Sequence, residues 1–463
     1  MTAVTVLNTL VVEALSRLFH HPAGEPAAEQ TQGDTVRNKV RSTQRGRLAL
    51  GAVTALSLAV LTACGGDDGG GSGDGGGPVT VTVATFNEFG YEELIDEWNA
   101  EHDDIKIEQV KVGTWDDAKA NLYTKLAAGS GLSDIEAIEG DAMPAILAEA
   151  DAFADLTDPE LDGRWLDWKA EAGTDAEGRT IGYGTDIGPE GICYRSDLFK
   201  KAGLPTDRAE VAGLMGTWDD YFALGEEFVK KVPDTAWYDS SGGVVQAMLN
   251  QVENPFETDD NTVAVDNPEL RAVYDAVTGN IEKGLSTRLS QWGDDWVASF
   301  QNDGFATMAC PGWMLGVVEG NAEGVTGWDF ADVFPGGGGN WGGSFLTVPA
   351  QGDNIEEATE VAAWLTAPEQ QAKAFAAKGT FPSQVDALDS PEITGATNAF
   401  FNEAPVGEIL ANRAEAVTVQ PYKGPKYSDI LQAFQASVLR VDDGSQSAAE
   451  SWDQFLADVE ALG

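Results

Sequence analysis

The chain has 463 residues, more than one hydrophobic core usually organises, and its 43% apolar content is ample for burial, so two globular units are the starting expectation. Its formal charge is -48, with 28 lysines and arginines against 76 acids, which makes nucleic acid and anionic membrane surfaces poor partners and an uncharged ligand an easier one. Three histidines in all, two of them at His20 and His21, argue against a histidine-based triad or a multi-histidine metal centre, and no metal or other cofactor is expected.

Arg37, Lys39, Arg41, Arg45 and Arg47 precede an uncharged, mostly apolar run from Leu48 to Ala63. This is the pattern of a secretory signal peptide over 37–63, and its apolar part is short of the roughly 20 residues a spanning helix needs. Leu61-Thr62-Ala63-Cys64-Gly65 resembles the bacterial lipobox, which implies cleavage before Cys64 and lipidation of its sulfur. The alternative, a small apolar residue inside a buried helix, is opposed by the glycine and aspartate run that follows. Residues 64–78 then form a lipidated cysteine and a flexible tether spanning about 20 Å. Residues 1–36 lie ahead of the basic segment and are expected to be a non-native extension, with Val36 as the true start. Beyond Cys64 only His102, Cys193 and Cys310 remain of their kinds. His102, in "NAEHDDI", reads as an exposed helix end. The two cysteines are an even pair in an exported chain, either a disulfide or two separate buried thiols.

From Val79 the periodicity is that of an α/β unit. "PVTVTVATF" alternates valine and threonine as a strand does, and "YEELIDEWNAEH" places Leu94, Ile95 and Trp98 on one helical face. "DIKIEQVKV" is a second strand. Thr114 and Asp117 have capping-box spacing ahead of a helix that carries Trp115, Leu122 and Leu126 inward, and "DIEAIEG" is a third strand. Strands and helices in alternation predict a doubly wound domain with a largely parallel sheet, which binds ligands beyond the carboxyl ends of its strands. Those ends carry Asn87, Glu88 and Phe89 after the first strand, Glu139 and Asp141 after the third, and Asp186 after "TIGYGT". Each taken singly also suits a turn or a cap; their shared location makes them candidates. A second unit opens at Thr217 and Asp220, again in capping-box spacing, and is mainly helical to about Gly284. Short strands return between Trp296 and Val348, and a helical C-terminal half follows, with 354–379 its clearest element.

At "LIDEWNAEHDDIKIE", "GPEGICYRSDLFKKAGLP", "SFQNDGFATMACPGWMLG", "GGSFLTVPA" and "AAWLTAPEQQ" the chain resembles the extracellular solute-binding proteins of ATP-driven sugar importers, in the family's order from 79 to about 385. The resemblance implies a periplasmic-binding-protein-like α/β fold, with two lobes joined by three crossing segments and a ligand cleft between them. On that pattern lobe 1 holds 79–188 and 305–343, and lobe 2 holds 189–304 and 344–463. The resemblance also puts Cys193 and Cys310 on neighbouring crossing strands, which favours their bonding and implies a rigid hinge.

A sugar ring needs aromatic planes against its C–H faces and carboxylates or amides for its hydroxyls. Of 13 tryptophans, Trp292, Trp313 and Trp341 are flanked by glycine or proline and map to cleft-facing segments, whereas Trp98, Trp218 and Trp364 lie on amphipathic helices and read as core. Glu139 and Asp141 resemble the family's sugar-binding carboxylates. "GGGGNWGG" lacks the lysine and the helix of a phosphate loop, and Gly342 and Gly343 are expected to let the backbone approach the ligand or a crossing strand. Scarce basic residues near the proposed cleft argue against phosphate-bearing ligands. The expected protein is a non-enzymatic, monomeric, lipid-anchored sugar or oligosaccharide trap. It would stand on the outer face of the cytoplasmic membrane of a Gram-positive bacterium and deliver to membrane permease subunits of the importer. The alternatives are the same fold binding a polyol or glycerol derivative, and a secreted glycoside hydrolase working through two carboxylates.

Overall fold

Val81 and Val83 point into a core that their threonine neighbours do not reach, and this alternation fixes β1 (Val79–Thr85) as one face of a sheet. The computed structural model describes residues 77–463 apart from Asp259, so the expected signal peptide, the expected lipidation at Cys64 and the expected extension before them lie outside the described residues. β1 pairs in parallel with β2 (Ile105–Lys111) and with β3 (Ile135–Glu139). The helix Glu92–Glu101 between β1 and β2 buries Leu94, Ile95 and Trp98 against the sheet, each contributing about 2–3 kcal/mol of transfer free energy. His102 ends that helix with its ring stacked on Trp98, centroids 3.6 Å apart. Thr114 and Asp117 form the reciprocal capping box that their spacing implies, starting the helix Trp115–Ala128.

The first sheet is completed by β4 (Gly182–Gly184) and by β10 (Ser344–Thr347), in the order β2-β1-β3-β10-β4. β10 runs antiparallel to both β3 and β4, so the sheet is parallel except for one late-arriving strand. A second sheet has the order β7-β8-β6-β9, built from β6 (Glu190–Arg195), β7 (Ala236–Tyr238), β8 (Phe305–Pro311) and β9 (Trp328–Ala331). Between the sheets, β5 (Asp186–Ile187) and β11 (Phe381–Pro382) form a two-stranded ribbon.

This topology corrects the expected lobe boundaries. Residues 305–311 pair with β6 and β7 in the second sheet, not the first, and 344–347 belong to the first sheet, not the second. The helix Ile355–Leu365 likewise joins the first core through Ala358, Val361, Ala362 and Leu365. The lobes are therefore 79–187 with 344–378, and 190–331 with 385–461. β8 is buried at all seven positions, so it shows no alternation from which its sheet could be read. Cys193 and Cys310 are bonded, with Cα atoms 5.6 Å apart. They sit on the adjacent strands β6 and β8, so the bond cross-links the interior of the second lobe, and the expected stiffening of the hinge does not follow.

The chain passes between the lobes at 186–190, 331–344 and 379–385. The first two passages lie side by side. Trp341 N–H donates to Gly188 O at 2.8 Å, and Gly188 N–H donates to Asn340 Oδ1 at 2.9 Å. A Cβ at Gly188 would stand 1.9 Å from Trp341 O, so only glycine permits this contact. At Thr366 the long C-terminal helical stretch breaks, because Pro368 cannot continue it and instead opens the helix Pro368–Lys378.

Candidate ligand-binding cleft

β3 ends at Glu139, and the chain turns at once through a single 3-10 turn, Gly140–Ala142, in which Asp141 N–H donates to Glu139 Oε2 at 2.9 Å. Opposite this turn, Gly342 and Gly343 lead into β10, both at positive φ (81° and 96°). A Cβ on Gly343 would come to 2.5 Å from Asp186 O and 3.1 Å from Lys169 Nζ. Gly343 therefore brings the third strand end, the first interlobe passage and a buried lysine together. A Cβ on Gly342 would lie 3.5 Å from Trp313 Nε1 and 4.0 Å from Glu139 Oε1, so the side chain that glycine lacks marks the gap between the aromatic and acidic groups.

Trp313, just beyond β8, donates its indole N–H to Trp341 O at 2.9 Å, with ring centroids 5.6 Å apart and planes near perpendicular. On its other side Trp292 lies near parallel to it at 6.1 Å. The three tryptophans singled out from sequence thus form one cluster. Trp292 is 57% exposed, the most exposed large apolar side chain described, and its φ is 71°. A bulky residue in the left-handed region is strained, and such strain gathers at functional positions.

From the second lobe, Glu190 opens β6 fully buried. Its Oε2 accepts from Asn250 Nδ2 at 2.8 Å, its Oε1 has no partner, and Asn250 Oδ1 accepts from Gln246 Nε2 at 2.9 Å. Lys423, ahead of the helix Tyr427–Asp442, reaches across to Asp141 Oδ1 and lies 5.6 Å from the Tyr427 ring centroid. From the first lobe, Lys169 is 2% exposed, with its ammonium 3.9 Å from the Phe345 ring centroid.

Burial dominates the electrostatics. It pushes the Glu139 carboxyl up to about 8, helped by the Asp141 charge and opposed by Lys423 and Lys169. It pushes Glu190 up to about 8 against the pull of Asn250 and Lys423, and lowers Lys169 to about 8 against the pull of Asp186 and Glu139. Burial also works to depress Lys423, yet the charges of Asp141, Tyr427 and Glu139 and its bond to Asp141 hold it above the usual lysine range. At neutral pH Glu139 and Glu190 keep their protons and add no charge of their own beside Lys169 and Lys423. The expectation of few cations here does not hold, since folding delivers Lys169 and Lys423, but the surrounding acids offset them. A site balanced in this way suits an uncharged ligand with many hydroxyls.

Glu190 also makes stability depend on pH. It is protonated to about pH 8 in the folded protein against an ordinary 4.5, so folding takes up a proton in that interval and stability falls as pH rises through it. Lys169, shifted the other way, returns stability above about pH 8. Glu190→Gln should flatten the fall in thermal midpoint between about pH 5 and pH 8 by several degrees. An unaltered slope in differential scanning calorimetry would show that Glu190 ionises as it does in water.

The remaining candidates divide. Asp186 Oδ1 accepts from Thr185 Oγ1 and from Ser344 N–H at 2.7 and 3.0 Å, locking the passage to β10, and with Phe89 and Tyr91 it lines a small recess beside the ribbon. Phe89 is buried against Phe86 and Tyr91. Asn87 and Glu88 are exposed, and Glu88 pairs with Lys111 and Lys378 at 3.3 and 3.2 Å, so its partners lie on β2 and on the helix Pro368–Lys378, not on the Glu139 turn. Sequence reasoning missed Lys169, Glu190, Gln246, Asn250, Lys423 and Tyr427. Only Glu190 left a legible signal, as a lone acid heading the otherwise buried "EGICYR".

Two sheet-centred lobes, three passages between them and a polar cluster fed from both sides define a bilobal capture protein. The chain belongs to the bacterial extracellular solute-binding protein family, whose model matches residues 93–401. It shares its fold with a solved extracellular solute-binding protein of family 1, at 50% sequence identity over a match that covers 83% of this chain and 99% of that one, with a TM-score of 0.79. The arabinooligosaccharide-binding protein of Bacillus subtilis (strain 168) is 32% identical over 181 residues, 37% of this chain and 39% of the relative, so the match spans about two-fifths of that relative's length. The binding protein of B. animalis subsp. lactis Bl-04 in complex with β-1,6-galactobiose has the same fold, with a TM-score of 0.68 at 20% identity, over 83% of this chain and 97% of that one. Among the described residues no helix is long and apolar enough to cross a membrane.

Proposed function

We propose that this solute-binding protein captures an uncharged oligosaccharide between its lobes and delivers it, without chemical change, to the permease subunits of an ATP-driven importer. The observation that carries this reading is the meeting of Trp292, Trp313 and Trp341 with the Glu139–Asp141 turn across Gly342. The tryptophans supply planes for pyranose or furanose C–H faces. Glu139, protonated at neutral pH, offers a donor as well as an acceptor to sugar hydroxyls, and Asp141 accepts beside it. The sugar-binding relatives support the ligand class, and an aromatic run of three rings favours more than one sugar unit. Asn87, Glu88, Phe89 and Asp186 are assigned to the rim and floor of the first lobe's side, where they meet the ligand or hold the groups that do.

The reading extends to the N-terminus. Cys64 would carry the lipid that holds the protein at the outer face of the membrane, with 65–78 as the tether. Tryptophan emission of the full chain carrying Cys64→Ser, titrated with arabinotriose, galactobiose and maltotriose, should shift saturably with at least one of them, and the sugar should be recovered intact. Hydrolysis of any of them would replace capture with catalysis.

A further inference from the structure

The Lys423–Asp141 contact is, among the described residues, the ion pair that joins one lobe to the other; the remaining pairs stay within a lobe or, for Arg413 and Asp332, link the second lobe to the passage that leaves it. Both partners are largely buried, with side chains 16% and 21% exposed. The loop bearing Lys423 is fixed to its own lobe on both sides, because Tyr422 N–H donates to Glu253 O at 2.6 Å and Lys426 N–H donates to Glu257 Oε2 at 3.1 Å. A Cβ on Gly424 would stand 2.6 Å from the Glu257 carboxylate, so the loop lies flat on that segment. It then runs into the helix Tyr427–Asp442, which buries Tyr427, Ile430 and Phe434 in the second core. Asp141 is equally constrained, by the 3-10 turn that also sets Glu139. The ammonium is thus placed by one lobe and the carboxylate by the other, and the two can meet only when the lobes approach.

We propose that Lys423 is a positioning residue that couples lobe closure to the ligand-binding turn: as the lobes close, its ammonium fixes Asp141 and with it the 3-10 turn that sets Glu139. Without it Asp141 would lose the cation that it meets across the cleft. Removing one partner of a largely buried pair leaves the other desolvated and uncompensated, which penalises the closed form and leaves each lobe's own core untouched. The inference rests on the capture reading above, since it concerns the same turn.

The test uses the full chain with Cys64→Ser and spin labels on Glu101→Cys in the first lobe and Glu282→Cys in the second, both exposed. The native Cys193–Cys310 bond leaves only the introduced thiols to react. Without ligand, Lys423→Met should move the interlobe distance distribution to longer values than in the otherwise unchanged protein, and Lys423→Arg should restore most of the short component. Arabinotriose affinity should fall by about 30-fold in the Lys423→Met variant, since a lost buried pair is felt mainly as faster release. Identical distance distributions with and without the Lys423→Met substitution would overturn the proposal, as would a Lys423→Met variant that closes normally on arabinotriose. If Lys423→Met does not fold, Asp141→Asn approaches the pair from the other lobe and must lengthen the same distances. A protein that closes as described yet binds none of the sugars would refute the capture reading and leave the coupling standing.

Discussion

Trp292→Ala is expected to weaken oligosaccharide binding by about 30-fold, or about 2 kcal/mol, while leaving the thermal midpoint within about a degree of the parent. The separation of the two effects comes from geometry. Trp292 is more than half exposed and packs against Trp296 and Trp313 by only part of its surface, so its removal opens no cavity in the core. Its left-handed backbone, by contrast, is unfavourable for any residue with a Cβ, and substitution by glycine should raise stability slightly while losing the same affinity. Trp313→Ala would be a poorer probe, because that ring also donates to Trp341 O and its loss would disturb the passage between the lobes. Isothermal titration with arabinotriose and with galactobiose measures the effect, and undiminished affinity in the alanine variant would remove Trp292 from the stacking surface.

Loss of the Cys193–Cys310 bond should produce the largest change in stability. The bond closes a loop with a sequence separation of 117, for which the chain-entropy relation gives about 5 kcal/mol, an upper figure because the reduced chain retains some structure. Both sulfurs lie in a fully buried cluster with Met308, Phe330 and Met314, so Cys193→Ala with Cys310→Ala adds the cost of the vacated volume. The cross-link spans β6 and β8 inside the second lobe. Its removal should therefore lower the unfolding temperature of that lobe and leave the interlobe distances of the folded protein unchanged. Calorimetry of the double variant reports the first, and the spin-label distances report the second. A variant as stable as the parent would mean that the bond contributes nothing beyond its neighbours' packing.

Strand ends and flanking glycines are local features, and together with the family resemblance they mark Glu139, Asp141, Trp292, Trp313 and Trp341. The capping box at Thr114 and the helix start at Thr217 are as the spacing implied, because a cap is satisfied by residues three apart. Asn87 and Glu88 were chosen by the same rule, yet folding gives Glu88 two lysines at some distance along the chain, and these decide where its carboxylate points.

By itself the sequence determined an acidic α/β protein of two units, the family it resembles, and a set of aromatic and acidic candidates for its site. The α/β alternation and its strand ends are legible because periodicity, capping and composition act over a few residues and need no knowledge of what packs against them, whereas the family and the cleft-facing tryptophans rest on the resemblance of longer segments. Only the tertiary structure decided that β8 sits in the second sheet while β10 crosses back into the first, since a strand buried on both faces carries no mark of its partner. It alone decided, too, that Lys169 and Lys423 enter the cleft. A lone lysine in a charged helix or a proline-flanked loop looks like surface, and only when residues 282 positions apart are brought together does Lys423 become the counter-charge of Asp141.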